Sequence, residues 1–321
     1  MAVHHQRERG HRDPFGDVWL PQLRAGNVVL QIMPIFTEEQ FAAEGALRRA
    51  LLLLESAREL ATVHRTDVAI VETTDQLDAA LASDRIAIVL AVEGLEPIGP
   101  DLQVLETFFR LGVRTASLTW NRRTLFADGV GERDTGGRLT GLGIEAVAAM
   151  EQFGMALDIS HLSATGVSHV AEIATRPFFA SHSSCHALCD HPRNLTDHQL
   201  ALVADSGGCV GINAFGPFID ASAATVDRYV DHVEHAIRVV GERHVALGAD
   251  FVKDLFGIVD AVLGKALVDL DDIPMIDGLV RPTDYLGLGD RLRERLGDDA
   301  AERVGAGNLI DFLRSSLPKS A

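Results

Sequence analysis

Residues 87–94 read AIVLAVEG: six apolar residues, then Glu93 and Gly94. The same design recurs along the chain. TASLTWN (115–121) ends on Asn121, MALDISH (155–161) on His161, FFASHS (178–183) on His182 and Ser183, and VALGADF (245–251) on Asp250 and Phe251. A short run that is apolar throughout reads as a strand buried on both faces, which is the habit of parallel sheets. In barrels of alternating strands and helices the side chains at the strands' carboxyl ends converge on one rim, and active sites are built there. The predicted fold is therefore α/β, a (β/α)8 TIM barrel with its site at the rim.

Working outward from these runs gives seven strand candidates: Val28–Phe36, Ala87–Gly94, Thr115–Asn121, Met155–His161, Phe178–Ser183, Cys209–Phe215 and Val245–Phe251. Helical periodicity fills Glu38–Val63, Asp101–Leu111, Thr140–Phe153, Ala164–Ala174, Thr196–Asp205 and Thr225–Val240, several of them opened by a Thr or Asp suited to an N-cap. Two further helix-like pieces, Gly287–Leu296 and Ala300–Leu317, close the chain after a loop-like stretch from Phe251 to Tyr285. Strict alternation of strand and helix argues for a parallel sheet. An eighth strand is not found: the stretch before Val28 carries two prolines and no long apolar run. The expected division is a poorly ordered extension over 1–17 and a barrel domain over 18–321.

Composition narrows the partners. The chain has 321 residues, 47% of them hydrophobic, and a formal charge of -17. A barrel of about 250 residues with extensions fits that length. The negative charge disfavours nucleic acid and anionic membrane surfaces, both of which call for basic patches. No apolar run reaches the ~18 residues of a membrane span, and the charged start MAVHHQRERGHRD is no secretory signal. Cys185, Cys189 and Cys209 are odd in number and lack metal-knuckle spacing, as expected of reduced thiols in a cytoplasmic protein.

His161 and His182 end two successive strands, so a barrel brings them close enough to share a metal ion, and neutral imidazole is a common zinc ligand. Satisfied core histidines are the competing reading. Glu93, closing a buried strand, is costly unless paired or metal-bound; a salt bridge or helix-dipole role is its alternative. Asp250 is a rim carboxylate able to move a proton from water to a leaving amine. Arg193, in CDHPRNLTD, either holds a substrate carboxylate in a bidentate fork or orders its loop through Asp190 or Asp197. Trp120 and Asn121 are placed to wall the substrate pocket, although a lone Trp serves equally as core.

Together these blocks resemble the membrane (renal) dipeptidase family, zinc metallopeptidases of the amidohydrolase superfamily. The resemblance rests on AVEG, LTWN-RRTLFADG, LTGLGIEAVAAMEQFGMALDISHLS, SHSSCHALCDHPRNLTDHQLALVADSGGCVGIN and HVALGADF, and runs from about Val18 to VGAGNLIDFL. It implies a (β/α)8 barrel with two zinc ions in the family pattern. Glu93 matches the bridging carboxylate, His161 and His182 the ligands of the second metal, Arg193 the holder of the substrate carboxylate, and Asp250 the acid at the reaction centre. The implied activity is proteolysis of dipeptides, including some with a D-residue at the C-terminal side, by a metal-activated water.

The sequence departs from that pattern at three places. The family's first strand ends in a His-x-Asp pair that supplies ligands to the first metal; here only His11 and Asp13 have that spacing, with no apolar strand before them. The expectation is that this pair is accidental and that the chain as written from Met1 lacks the first strand; the zinc expected is two ions in the family pattern, with a single ion as the alternative here. Trp120 stands where the family often has a carbonyl-polarising His, and FVKDLF follows Asp250 in place of an acidic, Gly-rich continuation. A barrel without one strand has two open edges, for which a homodimer or swapped element is one remedy. The alternatives to a dipeptidase are a barrel homologue with an incomplete metal site acting on another amide, or a non-catalytic subunit.

Overall fold

In the computed structural model, which describes residues 1–42, 45–258 and 275–320, the apolar runs pair as a parallel wall. The strands are β1 Leu30–Phe36, β2 Val68–Ile70, β3 Ile86–Glu93, β4 Val113–Ser117, β5 Ala156–Asp158, β6 Val210–Ile212 and β7 Val245–Leu247. Their order runs β1-β3-β4-β5, and β6 pairs with β7. The extended segment 178–183 joins the two halves through single parallel bridges, Asp158 to Phe179 on one side and Ala180 to Val210 on the other. All seven expected segments thus lie in the wall of a TIM-type barrel. Their ladders are shorter than the apolar runs because the last residues of several runs leave the sheet to form the rim.

β2 and the helix Thr74–Leu81 after it are elements that the sequence reading passes over. Three residues are too few for a recognisable run, and β2 exists because β3 offers it an edge. Val68–Ile70 pairs with Ile86–Ile88, while β4 takes the same edge from Leu90 onward. At the seam Leu90 faces Val113 and Ala91 faces Thr115, so Arg114 is an extra, bulged residue. Its guanidinium donates to the carbonyls of Glu72, Phe109 and Val113 and to the Glu72 carboxylate, which makes burial of the charge tolerable.

The helices are Ala46–Val63, Leu102–Arg110, Gly141–Phe153, Ala164–Ile173, Asp197–Asp205, Val226–Val240, Tyr285–Leu296 and Asn308–Ser316, with shorter pieces between. Thr140, Thr196 and Thr225 cap as expected, each accepting a backbone N–H three residues on. The first long helix begins at Ala46 rather than at Glu38. Glu38 turns inward instead, fully buried, and is gripped by both forks of Arg49 at 2.9 and 2.5 Å. A short helix, Lys253–Ile258, stands in the stretch expected as a loop; the part of that stretch over 259–274 lies outside the described residues.

The first 17 residues also differ from the expectation of a disordered extension. They contain the helix Ala2–Glu8, and Phe15 opens a helical stretch that continues to Ala25. His4 Nδ1 bonds Ser56 Oγ at 2.9 Å, Arg7 pairs with Glu59, and Met1 and Val3 pack against the core. Periodicity in so short a polar segment is invisible until the helix 46–63 is there to receive it. Among the described residues β1 pairs only with β3, and β7 only with β6. Pro34, which has no N–H to give a ladder, is exposed in β1, as suits an open edge.

Side chains alternate across this wall. Ile86, Ile88, Leu90 and Val92 join the main core, whereas Ala87 and Val89 join Ala156, Phe179, Cys209 and Ala246 in a second cluster closed by Phe312, Leu313 and Leu317 of the C-terminal segment. Period two therefore carries the Ala87–Val89 face on through Ala91 to Glu93. Next to that cluster the wall is made of small residues: a Cβ on Gly211 or Gly248 would sit 2.2 or 2.0 Å from the Ser181 carbonyl oxygen. Gly248→Ala is expected to destabilise by ~3 kcal/mol, the upper end for overpacking, since backbone must move. Gly287→Ala, with open space around it in an exposed helix, is expected to stabilise by ~0.5–1 kcal/mol. Urea unfolding of the two variants checks both signs.

Candidate active site

Strand register sets the floor of the site. Phe36, Glu93, Ser117 and Asp158 are aligned partners across β1, β3, β4 and β5. Just beyond this row the chain bends sharply. His161 has φ +71 and Asp250 φ +55; the other non-glycine residues in this region, among those described, are Asn27 and Asp84. Asn, Asp and His are the side chains most often found in the left-handed region, but any non-glycine residue there is uncommon. Strain of this sort, when observed, points to a functional position.

Glu93, His161 and His182 converge. Glu93 Oε1 lies 3.0 Å from His161 Nε2 and 3.6 Å from His182 Nε2, and the two Nε2 atoms are 2.8 Å apart. The far side of each ring is occupied. His161 Nδ1 meets Asn121 Oδ1 at 2.7 Å, and an amide oxygen only accepts, so that Nδ1 carries the proton. His182 Nδ1 meets Ser181 Oγ at 2.6 Å, and Ser181 in turn donates to Asp158 Oδ2 at 2.5 Å. Both rings therefore turn an Nε2 lone pair inward, toward each other and toward a carboxylate oxygen. Three lone pairs this close require a cation, and these three residues are the group that could hold a metal among those described.

The electrostatics agree with that use. Burial, with the nearby Arg193 charge, lowers His182 to about 3 and holds His161 well below the usual imidazole range, so both are neutral and able to ligate. Burial pushes Glu93 up to about 7, helped by the charges of Asp250 and Asp158. A proton is then the smallest cation the pocket can take.

The remaining candidates surround this centre. The Trp120 ring lies between Phe36 (centroids 5.2 Å apart) and His161 (5.8 Å), with Arg122 above it. Asn121, expected as pocket wall, instead spends its side-chain oxygen on His161. Asp250 keeps an edge exposed to solvent and lies within 3.4 Å of Asn213 Nδ2, while desolvation of its carboxylate among the rim residues raises its pKa against the pull of Arg193. Solvent access is what suits it to proton transfer.

Arg193 is almost wholly buried. It donates to the His182 carbonyl at 3.0 Å and reaches Ser183 Oγ at 3.4 Å, while its Nε has no hydrogen-bond partner. Burial lowers it to about 10, opposed by Asp250, Glu93 and Asp158. The alternative of loop ordering through Asp190 or Asp197 does not hold: Asp190 pairs with His186 at 2.9 Å and Asp197 with His235 at 2.7 Å. His11 is exposed, and Asp13 accepts from Gly16 N–H and bonds His64 Nε2 at 2.8 Å, so neither joins the cluster.

Asp158 and Ser181 were missed as candidates because neither ends its run. The available signal was alternation: Asp158 and Ser181 stand on the interior face of their strands, beside the histidines, where apolar residues are the rule.

A parallel α/β barrel with a His-His-Glu cluster at the strand ends defines a metal-dependent hydrolase. The sequence pattern of the family described as Membrane dipeptidase (Peptidase family M19) matches residues 3–266. The chain belongs to that family, whose members are metal-dependent dipeptidases. It is 31% identical over 324 residues to the dipeptidase aclJ of Aspergillus oryzae, covering 94% of this chain and 74% of that one. With a Schizosaccharomyces pombe protein named as an uncharacterized dipeptidase it shares 33% over 249 residues, 72% of this chain and 60% of the relative's length. The fold superposes with a TM-score of 0.81 on a metallopeptidase from Rhodobacter sphaeroides, crystallised with a phosphinate mimic of the dipeptide L-Ala-D-Ala; identity is 25%, covering 92% and 89% of the two chains.

If Glu93, His161 and His182 share an ion, His161→Ala is expected to weaken zinc binding by more than the ~100-fold upper value for losing an outer-shell partner. Hydrolysis of a simple dipeptide should fall to background. Metal analysis after dialysis against a chelator checks the first outcome; unchanged zinc content would refute the assignment.

Proposed function

We propose that this chain hydrolyses the peptide bond of dipeptides at the barrel rim, with one zinc ion held by His161, His182 and Glu93. The observation that carries the reading is the convergence of two Nε2 lone pairs and a carboxylate oxygen, with Asp250 at the rim and Arg193 buried nearby. Two histidines and a glutamate are a known catalytic zinc set, which leaves a position open for water or substrate. Zinc bound there supplies Lewis acidity toward the scissile carbonyl and toward water.

The chain's own residues supply the rest. Asp250 takes the proton released by the attacking water and delivers it to the leaving amine, a transfer that its raised pKa and exposure favour. Arg193 has five N–H donors and spends two, so its unpartnered Nε and remaining hydrogens are free for the substrate's terminal carboxylate. Trp120, braced by Phe36, makes an apolar wall that keeps water from the far side of the bond. The ligand of the Rhodobacter protein makes dipeptides with a C-terminal D-residue the first substrates to try. Three free, buried cysteines support a reducing, cytoplasmic setting, and no helix among the described residues is long and apolar enough to cross a membrane.

The metal count rests on one fact: among the described residues the cluster has three members and no His-x-Asp pair. One zinc per chain is expected by elemental analysis. Two would show that further ligands complete a second site, and none would favour a non-catalytic role.

Arg193→Lys tests the substrate class. Replacing a planar fork with a point charge is expected to raise KM for dipeptides ~10- to 100-fold, the ~1.5–3 kcal/mol of a hydrogen bond to a charged group. Dipeptide amides, which lack the carboxylate, should change little. Equal losses on both substrates would assign Arg193 to holding the His182 strand end alone.

A further inference from the structure

A ring nitrogen can serve as a ligand only if its proton is on the other nitrogen, and in a neutral imidazole nothing intrinsic to the ring settles which one carries it. For His161 the partner settles it, because Asn121 Oδ1 can only accept. For His182 the partner is a hydroxyl, Ser181 Oγ, at 2.6 Å. A hydroxyl both donates and accepts, so by itself it leaves His182 undecided.

Asp158 removes that freedom. Its Oδ2 lies 2.5 Å from Ser181 Oγ, and a carboxylate accepts, so the hydroxyl hydrogen is drawn to Asp158 and the oxygen is left to accept from His182 Nδ1–H. Asp158 is itself fixed: Oδ1 receives the backbone N–H groups of Ser160 at 2.9 Å and Ser181 at 3.0 Å. The Ser160 hydroxyl oxygen accepts the His182 N–H at 3.1 Å. From the ring the donors run one way, His182 Nδ1 to Ser181 Oγ and Ser181 Oγ to Asp158 Oδ2, the latter contact at 2.5 Å being much closer than the 3.4 Å from Ser181 Oγ to Ser160 Oγ.

We propose that Asp158 and Ser181 are positioning residues that set the tautomer of His182, so that its Nε2 lone pair faces the metal. The inference rests on the reading of His182 as a zinc ligand and adds the device that makes it one. It also explains why a carboxylate stands in the barrel interior outside the group formed by Glu93, His161 and His182.

The test is an inversion of polarity at constant shape. In Asp158→Asn the amide oxygen can keep the two backbone N–H bonds, which leaves NH2 facing Ser181. The hydroxyl must then accept from Asn and donate to His182 Nδ1, which moves the ring proton to Nε2. Zinc affinity, measured by competition with a chromophoric chelator, is expected to fall ~10- to 100-fold. In the zinc-free protein labelled with 15N-histidine, the His182 signals are expected to change from the Nδ1–H to the Nε2–H pattern. Ser181→Ala should weaken zinc to a similar degree, and Ser181→Thr, which keeps the hydroxyl, should restore it.

A merely structural role for Asp158 would lower the melting temperature without changing the tautomer. An Asp158→Asn protein with wild-type zinc affinity and an unchanged His182 pattern would overturn the proposal. If the wild-type protein binds no zinc, the ligand reading fails instead, and the nitrogen spectra still decide whether Asp158 sets the tautomer.

Discussion

Parallel pairing of β3 with its neighbours is the constraint from which the rest follows. Register fixes Phe36, Glu93, Ser117 and Asp158 as aligned partners across four strands, and period two then decides what each strand turns inward. The interior is graded along the strands. Hydrocarbon from the strands and from Phe312 fills it at the strands' amino ends, glycine and serine line it next, and ionisable groups crown it at the carboxyl ends. A slip of one residue in β3 would send Glu93 among the helices and put Val92 in its place. Chemistry and stability therefore share one set of backbone hydrogen bonds.

Within that frame, direction matters as much as distance. Neutral histidines beside a carboxylate make a site only when their protons point away, and the chain arranges this with Asn121 behind one ring and Ser181 behind the other. The same arrangement explains why the overall charge of -17 is a poor guide to the site. Arg193 holds a positive charge in the interior beside three carboxylates, so the field at the rim differs in sign and strength from that of the surface as a whole.

Strand-ending polar residues made the barrel and its rim legible from sequence. Glu93, His161 and His182 could be picked out because each interrupts an apolar run at its end, where a polar group has no packing reason to be. What escaped was local or relational. β2 is three residues that become a strand only because β4 leaves part of an edge free, and the helix Ala2–Glu8 is held by Ser56 and Glu59, far away in sequence. The contact of Asn121 with a ring 2.7 Å away is invisible in sequence, which shows only neighbours along the chain. Asp158 was hidden within its own run, where alternation was the only clue to it.

The left-handed backbone at His161 and Asp250 sets these two positions against the rest of the molecule. Each residue held in that region costs on the order of 1–3 kcal/mol, and glycine would relieve the strain at either place. Glycine would also remove an imidazole in one case and a carboxylate in the other. If His161 and Asp250 serve as the ligand and proton carrier proposed above, selection for heat resistance alone would push this chain toward an inert barrel, one substitution at a time. Robustness and turnover part company at His161 and Asp250, and a screen for thermostable variants has to read out both.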